Sequence, residues 1–408
     1  MIYTAILGHG TVGSGVAEIM IKHNARVSEK VRDDISVKYI LELRDFSNLS
    51  YADKFTKDFE KIVNDKDVKI VAEVMGGINP AYDFVKRCLL AGKSVVTSNK
   101  ELVAAKGAEL LSLAAENNVN FLFEASVGGG IPILRPISQC LAANDINSVT
   151  GILNGTTNYI LDKMIVDGMD FYTALSLAKE KGYAEKDPTA DIEGHDACRK
   201  ICILASLAFG KHVYPEQVRT EGIANVTLND VLYAEKFGFA IKLIAIAKKL
   251  PNGKITAEVS PRLLSRKNML SNVDGVFNAI VVKGDATGDV MFYGKGAGKM
   301  PTASAVTADI IDCAKHLHAR KYFDWHDGES DYVVADSSKM RYYVLLRSTD
   351  FASLIDSYNF TFNDVTQKAI NDTAGEIAFL TDEIYETELL DKLSKLKCDS
   401  FKVMKTLF

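Results

Sequence analysis

The chain has 408 residues, 47% hydrophobic and 25% charged, with a formal net charge of −5; this predicts two or three domains with ordinary, well-filled cores. The mild acidity argues against nucleic acid or an anionic membrane as partner, and no apolar run reaches the ~18 residues of a membrane-spanning helix. Six scattered cysteines without a CxxC pair, and a start (MIYTAILGHG) that enters a strand directly, fit reduced thiols in a cytoplasmic protein.

Residues 2–7 form a short apolar run ending at Gly8, and Thr11 to about His23 follows helical spacing. Strands are expected next at 37–43, 67–74, 94–97 and 119–123, with helices at 81–91 and 101–117 between them. Strands alternating with helices predict a parallel, doubly wound sheet of the α/β class. From about residue 135 the pattern changes. Helices at 170–181, 194–209 and 230–249 mix with strands at 148–153, 254–260 and 276–283, which reads as an inserted α+β domain. Residues 301–318 form another amphipathic helix, expected to return to the first domain, and Trp325–Gly328 reads as linker. The segments 341–348, 350–358, 360–370, 376–381, 385–396 and 402–407 read β-α-β-β-α-β. This module is expected to fold separately and to pair its edges with another copy, in a homodimer or homotetramer. The expected division is 1–134 with 299–325, then 135–298, then 340–408.

Gly8-His9-Gly10-Thr11-Val12-Gly13 is G-x-G-x-x-G between the first strand and the first helix. Glycines there permit a tight turn and the approach of a pyrophosphate to the helix N-terminus, so NADP or NAD is the expected cofactor. Glu42, Arg44 and Asp45 stand together near the end of the second strand. An acid there favours the NAD ribose, whereas Arg44 tilts the reading toward the 2′-phosphate of NADP. The alternative for Arg44 is an ordinary surface arginine. Glu73–Gly77 and Ser94–Lys100 end the next two strands, which puts Gly76, Ser98 and Lys100 at the rim of one crevice. Lys100 could donate to a substrate oxygen there. Gly128–Gly130 follow a strand directly, so backbone approaches something closely: an anion, a cation held by carbonyls, or tight packing. Asn154-Gly155-Thr156 opens a helix and suits a substrate or nicotinamide edge, and Gly294–Gly298 offers further amides.

Residues 182–200 are the densest stretch. Four acids (Glu185, Asp187, Asp191, Asp196) and Lys200 surround a proline and a glycine. Asp187-Pro188 cannot be mid-helix, so Glu185 and Asp191 lie on a loop that leads into a helix. Asp196 and Lys200, four apart, share a face of that helix. Acids with a lysine behind them suit a ligand that carries an ammonium group and a reacting oxygen. The bland reading is an exposed i,i+4 ion pair.

With these residues in hand the chain resembles homoserine dehydrogenase over about residues 1–320. The likeness rests on GHGTVG (8–13), SNKE (98–101), EASVGGGIP (124–132), GILNGTTNYI (151–160), GYAEKDPTADIEGHDACRK (182–200) and GKGAG (294–298). The resemblance implies a Rossmann domain, an inserted α+β substrate and dimerisation domain, and a C-terminal ferredoxin-like domain of the ACT type. It implies NAD(P)-dependent oxidation of L-homoserine, or the reverse reduction of L-aspartate 4-semialdehyde. Lys200 would be the proton donor and acceptor, with Lys100 a second lysine at the reacting oxygen. Glu185 and Asp196 would bind substrate, supported by Asp191. Gly155 and Gly298 would line the cofactor site. A monovalent cation, sodium or potassium, would be held by backbone oxygens of Glu124, Val127, Gly129 and Ile131. At the first turn of the last module, Asp350-Phe351-Ala352-Ser353 replaces the Asp-x-Pro-Gly usual in ACT domains, so inhibition by threonine is expected to be weak or absent. Two other readings compete. A semialdehyde dehydrogenase that phosphorylates its product needs a nucleophilic cysteine in the crevice, and no cysteine sits on these motifs. A non-catalytic amino-acid sensor on the same scaffold would bind ligand and turn nothing over.

Overall fold

The computed structural model describes residues 1–362, 365 and 367–408. Its first sheet holds β1 (Ile2–Leu7), β2 (Ile35–Leu41), β3 (Phe55–Thr56), β4 (Val68–Glu73), β5 (Ser94–Thr97) and β6 (Phe121–Leu122). All pair in parallel, in the order β3-β2-β1-β4-β5-β6. The order reverses between β1 and β4, and ligands of such sheets bind beyond the carboxyl ends of the strands at that point. Successive residues of β1 face opposite ways. Ile6 shares a core with Val16 and Met20 of helix Thr11–Lys22 and with Val306 and Ile310 of helix Lys299–Lys315. Ala5 and Leu7 share the other core with Val85 and Leu89 of helix Ala81–Leu90 and with Leu102 of helix Lys100–Glu116. The late helix thus returns to the first sheet, as expected. The two-residue β3 was not anticipated, being too short to carry a periodic signal.

The second sheet contains β7 (Ile146–Ile152), β8 (Arg219–Thr220), β9 (Phe239–Lys249), β10 (Ile255–Ser265), β11 (Phe277–Gly284) and β12 (Gly288–Lys295). Helices Gly155–Val166, His195–Phe209 and Leu228–Lys236 contribute Ile160, Ile201 and Val231 to a core shared with Ile241 and Leu243 of β9. One expectation is corrected here: 230–249 is not one helix. The helix ends at Lys236, Gly238 takes a φ of +81°, and β9 follows. A continuous apolar run buried on both faces has no period that separates strand from helix. Trp325 is not loose linker either. Its indole is buried and its Nε1 donates to His212 Nδ1 at 3.1 Å.

The last residues form β13 (Tyr342–Arg347), helix Phe351–Thr361, β14 (Gln367–Asn371), β15 (Glu376–Leu380), helix Glu386–Ser394 and β16 (Ser400–Leu407). The β-α-β-β-α-β reading holds, with antiparallel order β16-β13-β15-β14. Residues 363, 364 and 366 of the strand expected at 360–370 lie outside the described residues. The module does not have a sheet to itself. β16 pairs in parallel with β10, Arg262 opposite Lys405 and Leu264 opposite Leu407, so its strands extend the second sheet. An ion cluster sits at that seam: Lys405 Nζ lies 2.7 Å from Glu258 Oε2, and Arg262 Nη2 lies 3.1 Å from the same oxygen. One edge expected to meet another copy is therefore filled within the chain. Asp350 simply caps its helix, accepting from the Ser353 amide at 3.1 Å.

Candidate active site

The glycine loop sits at the strand-order reversal. A side chain at Gly13 would place its Cβ 2.1 Å from the Gly8 carbonyl oxygen, whereas one at Gly10 would meet nothing within 4 Å. Thr11 and Val12 begin the helix, and its first amides have no partner within the helix. At the tip of β2, Glu42 accepts from the His9 amide at 3.0 Å, and Arg44 Nη2 forks between Glu42 Oε2 at 2.8 Å and the His9 carbonyl at 3.2 Å. Arg44 holds the Glu42 carboxyl down at about 2. Arg44 is thus exposed but attached to the loop rather than adrift on the surface.

Gly76 and Ser98 lie at the rim. The Gly76 amide donates to Glu73 Oε1 at 3.3 Å, and the Ser98 amide donates to the Glu73 carbonyl at 3.4 Å. Asn99 caps helix Lys100–Glu116 by accepting from the Leu102 amide at 3.1 Å, which fixes the first helical residue, Lys100.

The centre of the site is Asp196. This residue is 4% exposed, and its carboxylate is gripped from both sides, by Lys100 Nζ at 2.7 Å on Oδ1 and by Lys200 Nζ at 2.7 Å on Oδ2. Lys200 also donates to the Leu153 carbonyl at 2.7 Å. Asn154 Nδ2 bridges Asp191 Oδ1 at 2.6 Å and Asp196 Oδ2 at 2.8 Å. The i,i+4 pair is therefore buried, which removes the bland reading of an exposed helix-start contact. Burial would raise the Asp196 carboxyl, but the two ammonium groups outweigh it and hold it well below the usual range. Burial lowers Lys200 below the ordinary lysine value, opposed by Asp196 and aided by the charge of Lys100. Burial also pulls on Lys100, but Asp196 more than offsets it and leaves that lysine raised. The two lysines thus differ in basicity, the condition for one of them to exchange a proton.

Gly155 and Thr156 open the helix capped by Asn154, whose Oδ1 accepts from the Thr157 amide at 2.8 Å; Thr156 Oγ1 donates to the Tyr183 carbonyl at 2.7 Å. Glu185 stands apart, exposed on its loop, with no hydrogen bond or ion pair among the described residues. Glu124 uses its side chain to accept from the amides of Ile133, Leu134 and Arg135 at 2.6–2.9 Å. Among the described residues, the carbonyl oxygens of Val127, Gly129 and Ile131 accept no hydrogen bond. Gly298, with φ +128°, precedes helix Lys299–Lys315. A side chain at Gly129 would lie 2.6 Å from the Gly296 carbonyl oxygen, so the two glycine loops touch. A cavity of about 1350 Å³ is lined by Leu111, Ile137, Tyr214 and Trp325 among others, and by none of the candidate residues.

Known proteins match this arrangement. The family model for homoserine dehydrogenase matches residues 132–311, and that for the homoserine dehydrogenase NAD-binding domain matches residues 8–124. The homoserine dehydrogenase of Corynebacterium glutamicum is 40% identical over 413 residues, covering 96% of this chain and 92% of its own. The chain belongs to the homoserine dehydrogenases. A crystal structure of the Thiobacillus denitrificans enzyme superposes with a TM-score of 0.91 at 34% identity, over 100% of this chain and 98% of that one. A hyperthermophilic archaeal homoserine dehydrogenase mutant in complex with NADPH superposes with a TM-score of 0.65 at 32% identity, over 76% of this chain and 97% of that one.

The enzyme interconverts L-homoserine and L-aspartate 4-semialdehyde with an NAD(P) cofactor, and the non-catalytic sensor reading falls away. Oxidation moves a hydride from the alcohol carbon to the nicotinamide while the hydroxyl proton leaves to a base; the cofactor carries the redox change and the protein positions it. Among the described residues, no helix is long and apolar enough to cross a membrane. Two residues, Asn154 in the cluster and Glu73 at the rim, lie outside the expected site. Asn154 was seen only as part of a polar turn, and Glu73 only as a strand end. Each is a polar residue at or just past a strand end, which marks a rim without saying which neighbour it will hold.

Proposed function

We propose that Lys200 is the proton acceptor in homoserine oxidation and the donor in the reverse direction, with Lys100 at the same reacting oxygen. The observation that carries this is the shared grip of the two lysines on buried Asp196. A neutral Lys200 takes the hydroxyl proton as the hydride leaves, and its lowered pKa makes the neutral form accessible. Asp196 and Asp191 would hold the substrate ammonium, and Glu185, exposed and without a partner among the described residues, would close onto it. Glu185→Gln is expected to raise the homoserine KM about tenfold with little change in the cofactor KM, since a charge-assisted bond is lost. Steady-state assays that vary each substrate check this; equal rises in both KM values would make Glu185 structural.

Gly8, Gly10, Thr11, Val12 and Gly13 take the pyrophosphate in this reading, and Gly76, Ser98, Lys100 and Gly298 border the nicotinamide end, with Gly155 and Thr156 opposite. NADP is the preferred cofactor, through Arg44. Arg44→Ala should weaken NADP about tenfold more than NAD, because a guanidinium forks onto the 2′-phosphate. Fluorescence titration with both reduced cofactors reads the ratio, and an unmoved ratio would leave Arg44 merely tethering the loop.

The carbonyl oxygens of Glu124, Val127, Gly129 and Ile131 would hold a sodium or potassium ion, being hard oxygen donors suited to a hard cation. The ion would fix the glycine loop; no proton or hydride passes through it. We assign residues 1–134 with 299–325 to cofactor binding, 135–298 to substrate, and 340–408 to an ACT-type regulatory module whose altered Asp350 turn gives little threonine inhibition. A cytoplasmic homodimer or homotetramer completes the reading, with the outer strands β12 and β14 available to other copies.

A further inference from the structure

Glu73 is the last residue of β4 and is fully buried. No ion pair reaches it among the described residues. Its carboxylate is instead held by hydrogen bonds. Oε1 accepts from the Met75 amide at 2.8 Å and the Gly76 amide at 3.3 Å, and Oε2 accepts from Thr97 Oγ1 at 2.6 Å. Thr97 Oγ1 accepts in turn from the Asn99 amide at 2.9 Å, and Asn99 Nδ2 donates to the Gly77 carbonyl at 2.6 Å. The result is a closed polar ring. One side is the 75–77 loop at the rim of the cofactor crevice, and the other is the start of the helix that carries Lys100.

A buried carboxylate without a cation is costly unless its oxygens are satisfied. An amide in its place could form most of the same bonds at less cost, and leucine would serve packing alone. We propose that Glu73 is a positioning residue: through Thr97 and Asn99 it sets Lys100 against Asp196 and ties that placement to the rim that receives the cofactor. The helix start cannot shift without breaking the Thr97–Asn99 bond, and the rim cannot shift without breaking the bonds to Met75, Gly76 and Gly77. Cofactor seating and lysine placement are thereby one geometry. This rests on the reading of Lys100 as part of the site.

Thr97→Val tests it, because valine keeps the volume and cuts both hydroxyl bonds. The kcat is expected to fall about tenfold to a hundredfold, the usual cost of misplacing a reacting group by about 1 Å. The charged groups around Lys200 are Asp196, Lys100 and Asp191. With Lys100 drawn away, Lys200 loses a repelling neighbour, so the kcat–pH profile for homoserine oxidation should move to higher pH. A residue that only stabilised the fold would lower the melting temperature and leave that profile in place. Thr97→Ser should restore both rate and profile, and Glu73→Ala, if it folds, should behave as Thr97→Val. Lys100→Ala is the reference. Wild-type turnover in Lys100→Ala would overturn the site reading itself. A defective Lys100→Ala beside a Thr97→Val with unchanged kcat and profile overturns the role of Glu73 alone.

Discussion

Replacing Lys200 by alanine is expected to lower kcat by ~10²–10⁴-fold, the range typical of general acid–base catalysis, with the cofactor Kd within about twofold of wild type. The ammonium touches Asp196 and the Leu153 carbonyl and no part of the glycine loop, so its loss should spare dinucleotide binding. Removing it leaves Asp196 with one cationic partner, Lys100, and some loss of stability must accompany the change. Lys200→Met, which keeps the aliphatic stem, should regain the packing share of that loss while the charge share and the low kcat remain. The pH dependence has a definite sign. If Lys200 is the base, oxidation needs its neutral form and its rate should rise with pH through a value below that of an ordinary lysine; reduction would need the ammonium and should fall over the same interval. Turnover within about tenfold of wild type in either variant would remove Lys200 from proton transfer.

Truncation after residue 335 is expected to yield a chain that aggregates or unfolds, rather than a smaller working dehydrogenase. β16 is the neighbour of β10 in the sheet, and its removal bares an interior edge rich in apolar residues. It also strips Lys405 from Glu258, whose carboxylate lies buried beside Arg262. Glu258 keeps Arg262 but loses its nearer cation, and an uncovered interior strand is a template for aggregation. Expression, size-exclusion chromatography and a rate assay on the truncated chain check this. A soluble, active product would mean that the shared sheet contributes little.

The sequence made some of this legible and hid the rest for physical reasons. Amphipathic helices such as 11–22 announced themselves by period, and the glycine loop by its place between strand and helix. β9 did not, because full burial erases the polar face that periodicity needs. The pairing of β16 with β10 joins residues about 140 positions apart, as with Leu264 and Leu407, and no local pattern encodes such a partner. Within the site, Asp196 and Lys200 were found because they are one helical turn apart. The grip of Lys100 on Asp196 joins two helices from different sheets; the family likeness puts both residues in one site but does not imply their contact. Asn154 and Glu73 were passed over because their roles depend on partners remote in sequence.

The helix Lys299–Lys315 covers the face of the first sheet that includes Ile6, Ile40 and Ile70. That has a bearing on synthesis. Those strands leave the ribosome early, yet their cover is made almost 300 residues later. At ~5–20 residues per second the nascent chain waits roughly 15–60 s with that apolar face covered only in part, by helix Thr11–Lys22 and its successor. The nucleotide-binding half therefore cannot mature as an independent N-terminal unit, and its completion awaits nearly the whole polypeptide. Such a delay is the circumstance in which a chaperone that shields apolar surface would matter most, and it makes the first hundred residues, rather than the late module, the more vulnerable part of the newborn enzyme.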